Sequence, residues 1–220
     1  MCLYLLSRRS AAKYSPVDCI ISACGKQADV EDTKGIVRKY YGPQTRFFVY
    51  NKCGDIPDSI KLPNLGREQH TYALHVFQNY DDLSDRLIFT PANINGHRSD
   101  REQTLREASR KLGSGFHCLK IETFGDVAGF KISPYQGRPL DLAEPRGVAE
   151  WARAHIGFYA APKTDTCNGG TFVTTRELVR ETPREIFEAV MRQLYVNEPE
   201  AGHYMERITP LIYGDVEKVP

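Results

Sequence analysis

Short apolar runs alternate with amphipathic stretches through the first half of the chain. The pattern predicts buried strands over residues 17–24, 46–50 and 86–90, bounded by turn residues. Helices with apolar side chains at helical spacing are predicted between them, over 29–41 and 67–80. This alternation of strands and helices predicts a parallel sheet with right-handed crossovers.

The second half of the chain has a less regular pattern. It predicts a polar helix over 99–112, a helix over 144–155, a strand over 171–175 and helices over 182–195 and 202–213. The helix at 182 has a full start signature, with Thr182 as N-cap, Pro183 at the first helical position and Glu185 at the capping-box position.

No internal repeat, low-complexity tract or linker interrupts the 220 residues. We therefore predict one domain over 1–220, with residues 1–16 as an N-terminal extension. The expected fold class is α/β, with a Rossmann-like, mostly parallel central sheet flanked by helices.

Composition supports a folded protein with a buried core and limits its partners. Hydrophobic residues make up 41% of the chain, and twelve Tyr with ten Phe argue against disorder. Because 29 Lys and Arg nearly balance 28 Asp and Glu, we expect no nucleic-acid partner bound through overall charge.

The apolar runs of the chain are all too short to span a bilayer, which takes about 20 residues. Residues 1–6 are largely apolar, but Arg8 and Arg9 follow them, whereas a signal peptide carries its charges first. We therefore expect a cytoplasmic protein without a membrane span. A location in the Golgi lumen is expected instead if the chain is the trimmed part of an anchored protein.

The six cysteines show no metal-site spacing. None forms a C-x-x-C pair, and no Cys/His cluster matches a zinc site. Cys19 and Cys24 lie in or beside an apolar strand pattern, where a free cysteine is usually a small buried hydrophobe. We expect the cysteines to be reduced and structural.

Polar loops that contain glycine or asparagine follow the predicted strands, at 22–25, 51–55 and 90–97, and another opens the helix at 64–68. Ligands of doubly wound sheets bind at the carboxyl ends of strands, and glycines there let backbone N–H groups approach a phosphate. The pattern therefore favours a nucleotide site, although any α/β fold also needs turns at these places. Neither G-x-G-x-x-G nor G-x-x-x-x-G-K-[ST] is present, which excludes the ordinary dinucleotide and P-loop sites.

The densest group of polar residues opens the helix predicted at residue 67. Arg67 could pair with a phosphate, Glu68 could accept hydrogen bonds from hydroxyls, and His70 could donate to a sugar or phosphate oxygen. The alternative assigns Glu68 to the helix dipole, Arg67 to the surface and His70 to packing. Three polar groups crowded behind Asn64 and Gly66 favour the functional interpretation.

A second group of polar residues is distant in sequence. Gly169 and Gly170 precede the strand predicted at 171, and His203 and Glu206 share one face of the last helix. We interpret the two glycines and His203 as an acceptor pocket and Glu206 as its general base. The alternative is an ordinary pair of residues on a helix surface.

Several strings resemble an uncharacterised domain family that is best known from fungi. They are LPNLGREQHTY at 62–72, NYDDLSD at 79–85, FVTTREL at 172–178, PREIF at 183–187 and YMER at 204–207. The resemblance spans roughly residues 17–214 and implies no activity by itself.

More distantly, the order of parts resembles nucleotide-sugar glycosyltransferases of the GT-A fold. The resemblance implies that the first strand and the loop from Asn51 to Asp55 hold the base of the nucleotide. It also implies that Asn64 and Gly66 open the helix below the nucleotide, and that an Asp-x-Asp motif follows the strand ending at Phe89.

This chain departs from the resemblance at the metal motif, because residues 90–95 read TPANIN. Neutral Asn is a poor ligand for a hard cation, which leaves three alternatives. They are metal-independent transfer, ligands displaced to His97 or Asp100, and loss of catalysis.

Together these features predict transfer of a sugar from a nucleotide-sugar donor to a hydroxyl acceptor, with Mn or Mg entering only with the donor. The predicted donor site consists of Asn51, Asp55, Asn64, Gly66, Arg67, Glu68, His70, Asn93 and Asn95. The predicted acceptor and catalytic residues are Gly169, Gly170, His203 and Glu206. The alternatives are a non-catalytic nucleotide- or carbohydrate-binding module and an interaction protein that uses the charged helix 99–112 as its contact face.

Overall fold

The computed structural model of the protein describes residues 16–93, 100–111, 115–121, 127–159 and 166–215. These residues form one sheet of strands β1 (Val17–Cys24), β2 (Arg46–Cys53), β3 (Ile60–Lys61), β4 (Arg86–Pro91), β5 (His117–Ile121) and β6 (Thr166–Thr175). The order of the strands across the sheet is β3-β2-β1-β4-β6-β5.

The centre of the sheet is parallel, as the sequence pattern predicts. Strand β1 lies between β2 and β4, so that Ile20 pairs with Phe48 on one side and Phe89 on the other. Strand β6 runs antiparallel to both β4 and β5, which the pattern did not show. The order and directions confirm an α/β fold with a mostly parallel central sheet.

Helices flank this sheet on both faces. They are α1 (Gln27–Tyr41), α2 (Arg67–Asn79), α3 (Asp100–Arg110), α4 (Val148–Ile156), α5 (Arg176–Arg180), α6 (Arg184–Gln193) and α7 (Glu200–Tyr213). The helices predicted from apolar spacing are present within a few residues of their expected bounds. The short α5 and the strand β5 had no clear signal in the sequence.

Alternation along β1 divides the core into two layers. Cys19 and Ile21 belong to a cluster with Val30 and Val37 of α1, whereas Ile20 belongs to the larger cluster on the other face. Every second side chain of a strand points to the same face, so a strand buried on both faces reads as a continuous apolar run. The layer around Ile20 also contains α2, α4, α6 and α7.

Aromatic rings fill the thicker layer. Phe89 of β4 stacks on Phe172 of β6 with ring centroids 4.7 Å apart, and Tyr72 of α2 meets both rings edge-on. The Tyr72 hydroxyl donates to the carbonyl of Gly170 over 2.8 Å, so its buried polar end is satisfied. This cluster fixes α2 against the antiparallel end of the sheet.

The prediction that the cysteines are reduced is wrong for four of them. Cys24 at the end of β1 is bonded to Cys53 at the end of β2, and Cys118 of β5 is bonded to Cys167 of β6. Both pairs join neighbouring strands, with Cα atoms 4.6 and 5.5 Å apart. Such pairing follows from strand neighbours, which sequence spacing alone does not reveal. Cys19 is free and buried, as expected.

Two local predictions in the second half of the chain are also wrong. Thr182 does not cap α6, because its hydroxyl donates to the carbonyl of Ile212 over 2.8 Å and Pro183 takes the N-cap position. Strand β6 begins at Thr166, so Gly169 and Gly170 lie within a strand and not in a loop before it. In both places a tertiary contact replaces the local pattern.

Among the described residues, no helix combines the length and the apolar character needed to cross a membrane.

A buried histidine links α2 to β2. His75 is fully buried, and its Nδ1 lies 2.9 Å from the Tyr50 hydroxyl and 3.4 Å from the Asn79 amide nitrogen. Both neighbours can donate to a neutral Nδ1. Burial lowers the pKa of His75 to about 4, the Asp18 carboxylate opposes the shift and the Arg46 charge adds to it.

We expect this histidine to make the protein less stable in mild acid. The unfolded chain binds the His75 proton near pH 6.5 but the folded protein only near pH 4, so unfolding becomes easier as pH falls through that window. Between pH 7 and pH 5, His75→Gln should reduce the loss of unfolding free energy by about 1–2 kcal/mol. Urea denaturation at both pH values measures this. His155→Gln, at a partly exposed site, is the control, and an equal pH dependence in wild type and His75→Gln would contradict the expectation.

Candidate functional site

A polar cleft lies at the edge of the sheet where the parallel strands β1, β2 and β4 end. It has a volume of about 210 Å³, and its walls are strand ends and the first turns of α1 and α2. The lining residues are Ser22, Cys24, Gly25, Asp29, Lys52, Asn64, Arg67, Glu68, Pro91, Ala92 and Asn93. Because α/β proteins bind ligands at this edge, the cleft is the candidate functional site.

Lys52 provides a buried positive charge at the end of β2, where its side chain is only 8% exposed. Its ammonium donates hydrogen bonds to the carbonyls of Leu65 and Arg67, at the entry to α2. Burial lowers the pKa of Lys52 to about 8, and the nearby Glu68 carboxylate opposes that shift. The ammonium therefore remains mostly protonated at neutral pH and gives the cleft a fixed cation.

The entry to α2 has an unusual backbone. Gly66 and Arg67 both have positive φ angles, of 62° and 51°, and non-glycine residues rarely adopt this region. Two such residues in succession turn the chain sharply and place Arg67 and Glu68 beside the cleft. Backbone outliers of this kind cluster at functional sites.

Glu68 occupies the side of the cleft that faces β6. Its carboxylate lies 4.0 Å from the Arg67 guanidinium, and a side chain at Gly170 would meet it, since a Cβ there would be 2.9 Å from Glu68 Oε1. Gly170 has a φ of 67° and accepts the Tyr72 hydrogen bond through its carbonyl. Glycine at 170 therefore leaves room for the carboxylate of Glu68.

Helix α7 contacts the Arg67 side chain through His203. The Arg67 guanidinium lies 3.0 Å from Nε2 of His203, which is 4% exposed. A guanidinium only donates, so Nε2 must accept and Nδ1 carries the hydrogen. Nδ1 lies 3.9 Å from the Glu206 carboxylate. His203 thus orients Arg67 directly, and the Glu206 carboxylate acts on Arg67 through its charge.

Four residues of the predicted donor site line the cleft: Asn64, Arg67, Glu68 and Asn93. Asn51 is buried with its side chain bonded to the backbone of Gly54 and Cys53, and Asp55 points into solvent beside Lys61. Both belong to the loop after β2 and hold its shape or its surface. Asn95 lies outside the described residues.

The structure places His70 away from the cleft. It lines a groove between α2 and α6 and contacts the ring of Tyr195, with centroids 5.9 Å apart. Burial, together with the charge of Lys52, lowers the pKa of His70 to about 4, so the ring is neutral at neutral pH. A neutral, buried imidazole on another face does not bind an anion in the cleft.

The predicted acceptor and catalytic residues approach the cleft only indirectly. Helix α7 packs against the start of α2, but His203 and Glu206 contact Arg67 and Arg207 and do not line the cleft. Gly170 contacts Glu68 from β6, and Gly169 precedes it in the same strand. These residues shape and orient the cleft wall.

Lys52, Asp29 and Ser22 line the cleft but were not singled out from the sequence. Lys52 follows a run of strand-forming residues, and Asp29 lies in the first turn of a helix. The sequence therefore offers an ordinary structural explanation for each of these charged residues. The signal that could have identified Lys52 is its position at a strand end that faces the Asn64–Gly66 loop. The parallel pairing of β2 with β3, in which Asn51 lies opposite Lys61, brings these two segments together.

The cleft combines fixed positive charge with hydrogen-bonding groups. Lys52 and Arg67 supply the cations, and Asp29 and Glu68 supply carboxylates. Among the described residues, no three His, Cys, Asp or Glu side chains group to hold a metal ion. The arrangement fits an anionic ligand that also carries hydroxyls, because guanidinium and ammonium groups bind phosphate and carboxylates accept from hydroxyls.

We expect Gly66 to tolerate no side chain. A Cβ at this position would overlap the carbonyl of Leu194 and lie 2.6 Å from His70 Cβ, and its positive φ adds strain. Gly66→Ala should therefore lower the unfolding free energy by about 2 kcal/mol or more. Gly35→Ala in α1, where a Cβ meets nothing within 4 Å, should raise it by about 0.5–1 kcal/mol. Chemical denaturation compares the two, and equal effects would contradict the close packing at Gly66.

No protein-family model and no curated protein matches the chain. Among solved structures, the protein is similar to mannosyl-3-phosphoglycerate synthase from Rubrobacter xylanophilus, at 10% sequence identity and a TM-score of 0.34. The similarity covers 84% of this chain and 64% of that one. The chain thus spans less than two thirds of the length of this structure, and a likeness at this level identifies neither substrate nor reaction.

Proposed function

We propose that the protein binds a nucleotide-sugar in the cleft at the ends of β1, β2 and β4 and transfers the sugar to a hydroxyl acceptor. The observation that carries the proposal is that two positively charged side chains, Lys52 and Arg67, line the cleft together beside the first turns of α1 and α2. Helix N-termini and fixed cations together favour a diphosphate. The proposed ligand contacts lie at the end of β2, in the first turn of α2 and in the loops at Asn64 and Asn93, all at one edge of the sheet.

Within this proposal, each lining residue has a separate task. Lys52 and Arg67 neutralise the diphosphate, and the amides of Asn64 and Asn93 hydrogen-bond the nucleoside or the sugar. Lys52 is already desolvated by the protein, so it needs no further burial when the ligand arrives. His203 and Glu206 keep the Arg67 guanidinium in place and so act as positioning residues.

The proposed base is Glu68. It lines the cleft, unlike Glu206, and its carboxylate can take the proton of an acceptor hydroxyl. The bond between the sugar and the diphosphate then breaks, a bond forms from the sugar to the acceptor oxygen, and the nucleoside diphosphate leaves. Arg67, at 4.0 Å from Glu68, is placed to stabilise the charge that develops on the leaving group.

A divalent cation fits this cleft only as part of a complex with the diphosphate. Asp29 and Glu68 offer carboxylates and Asn64 and Asn93 offer amide oxygens, and magnesium commonly binds one or two carboxylates together with substrate phosphates. Such a cation would supply further neutralisation of the leaving group. Lys52 and Arg67 already provide positive charge at the same place.

A non-catalytic module that binds nucleotides or carbohydrates is the second candidate. It is favoured by the position of Glu206, the base predicted from the sequence, which faces His203 and Arg207 and does not line the cleft. The two candidates share the ligand and differ in turnover. Release of nucleoside diphosphate from a nucleotide-sugar, abolished by Glu68→Gln with donor binding retained, distinguishes transfer from binding.

The two disulfides favour a compartment of the secretory pathway, which includes the Golgi lumen. Cys24–Cys53 and Cys118–Cys167 each join neighbouring strands. Disulfides persist in oxidising compartments and are rare in the cytosol.

Arg67→Ala tests the donor site. If Arg67 makes a charge-assisted bond to the diphosphate, the variant should bind UDP or GDP more weakly by about 1.5–3 kcal/mol. Isothermal titration calorimetry measures the affinities. The control is Arg192→Ala, which removes an exposed arginine paired with Glu188 on α6 and should leave the affinity unchanged.

Two results would contradict the donor site. One is a wild-type protein that binds neither nucleotide, and the other is an Arg67→Ala variant that binds as tightly as wild type. A thermal unfolding curve for each variant shows whether the fold is intact, since Arg67 also contacts His203.

A further inference from the structure

A second cleft adjoins the first and shares Arg67 with it. It has a volume of about 180 Å³, and its lining residues are Arg67, Tyr135, Gln136, Arg138, Leu140 and Glu198. Arg67 therefore forms part of the wall of both clefts. A group bound in the second cleft would lie next to the ligand of the first.

The outer wall of the second cleft is a tight hairpin. Tyr135 and Arg138 exchange two backbone hydrogen bonds, of 2.9 and 3.0 Å, across Gln136 and Gly137. Gln136 and Gly137 both have positive φ angles, of 51° and 77°, as a type I′ turn requires. Residues that face each other across a hairpin project to the same side, so Tyr135 and Arg138 act as one surface.

The segment that carries this hairpin is fixed to the start of α7. The buried carboxylate of Glu200 accepts hydrogen bonds from the backbone of Ile132 and Ala143, at 2.8 and 3.1 Å, and pairs with Arg146 at 2.7 Å. The Asp141 amide donates to the carbonyl of Glu198 over 3.0 Å. Both sides of the second cleft are thus tied together before any ligand binds.

Two charged side chains of this cleft keep free hydrogen-bonding positions within the described residues. The exposed Arg138 guanidinium makes no hydrogen bond or ion pair there, and the Glu198 carboxylate makes no hydrogen bond but acts on Arg67 through its charge. By contrast, Tyr135 is held in place, with its ring 4.5 Å from the His203 ring and under the Arg67 guanidinium. A fixed ring beside planar polar groups with free hydrogen-bonding positions can bind a ligand that has both an apolar face and hydroxyls.

We propose that the second cleft binds the acceptor, and that the acceptor is a sugar. A sugar ring presents an apolar face of C–H bonds, which packs on an aromatic ring such as Tyr135. It also presents neighbouring hydroxyls, which planar groups such as the Arg138 guanidinium and the Glu198 carboxylate bind in pairs. The role as acceptor rests on the proposed function, whereas the binding of a sugar here does not.

The size and polarity of the cleft favour a single sugar ring over a peptide or a lipid. Five of the six lining residues are polar or aromatic with a polar end, and Leu140 is the exception. A lipid chain needs a mainly apolar wall, and a charge-recognised peptide needs one sign of charge. Here the two arginines, Arg67 and Arg138, share the wall with the Glu198 carboxylate, so the cleft carries both signs of charge.

Tyr135→Ala tests this assignment with simple probes. The methyl glycosides of glucose, mannose, galactose and N-acetylglucosamine are each added to the full chain without nucleotide, and saturation-transfer NMR detects contact. We expect at least one glycoside to bind wild type, and its affinity to fall about tenfold or more in Tyr135→Ala. Tyr195→Ala, which removes an exposed tyrosine from the groove between α2 and α6, is the control and should bind like wild type.

The outcomes separate this assignment from the proposed function. No contact with any of the four glycosides, or contact that survives in Tyr135→Ala, overturns the sugar site even if UDP or GDP binds the first cleft. Contact that depends on Tyr135 in a protein that binds neither nucleotide supports the sugar site and removes its role as acceptor. Circular dichroism of both variants checks that each is folded.

Discussion

The buried ammonium of Lys52 ties the end of β2 to the start of α2. Its hydrogen bonds to the carbonyls of Leu65 and Arg67, which lie 13 and 15 residues further along the chain, hold the entry of α2 against the end of β2. A buried charge is energetically costly unless it is hydrogen-bonded. If the two carbonyls moved away, the Lys52 ammonium would stay buried without these hydrogen-bond acceptors. The tight turn at Gly66 and Arg67 then fixes where α2 begins, and Glu68 follows from that start.

As a consequence, Arg67 lies in the wall that the two clefts share. Its guanidinium is oriented by His203 from α7 and borders both the cleft at the strand ends and the cleft behind the Tyr135 hairpin. A charge held in this way needs little reorganisation when a charged group approaches, which is the condition for strong electrostatic stabilisation. Under the proposed function, a donor in the first cleft and an acceptor in the second would both border Arg67.

The parallel centre of the sheet could be predicted because its strands are buried on both faces and the helices between them show regular apolar spacing. The disulfides, the antiparallel strand β6 and the role of Lys52 could not, because each is set by which strands are neighbours. Arg67 and Glu68 could be identified from the sequence because polar residues crowd together beside Gly66, and both line the cleft. His70 stood out for the same reason, yet its position in α2 directs it to the groove between α2 and α6, away from the cleft. The Tyr135 hairpin had no signal, since Gln136 is not a residue that marks a left-handed turn.

Hydrogen–deuterium exchange with and without UDP-glucose or GDP-mannose tests whether a nucleotide-sugar binds at the ends of the parallel strands. We expect slower exchange in the segments 25–29, 64–68 and 91–93 with at least one of the two ligands, and no change in α6. Slower exchange confined to α6 and the groove beside it, or no change anywhere with either ligand, would show that the donor does not bind in this cleft.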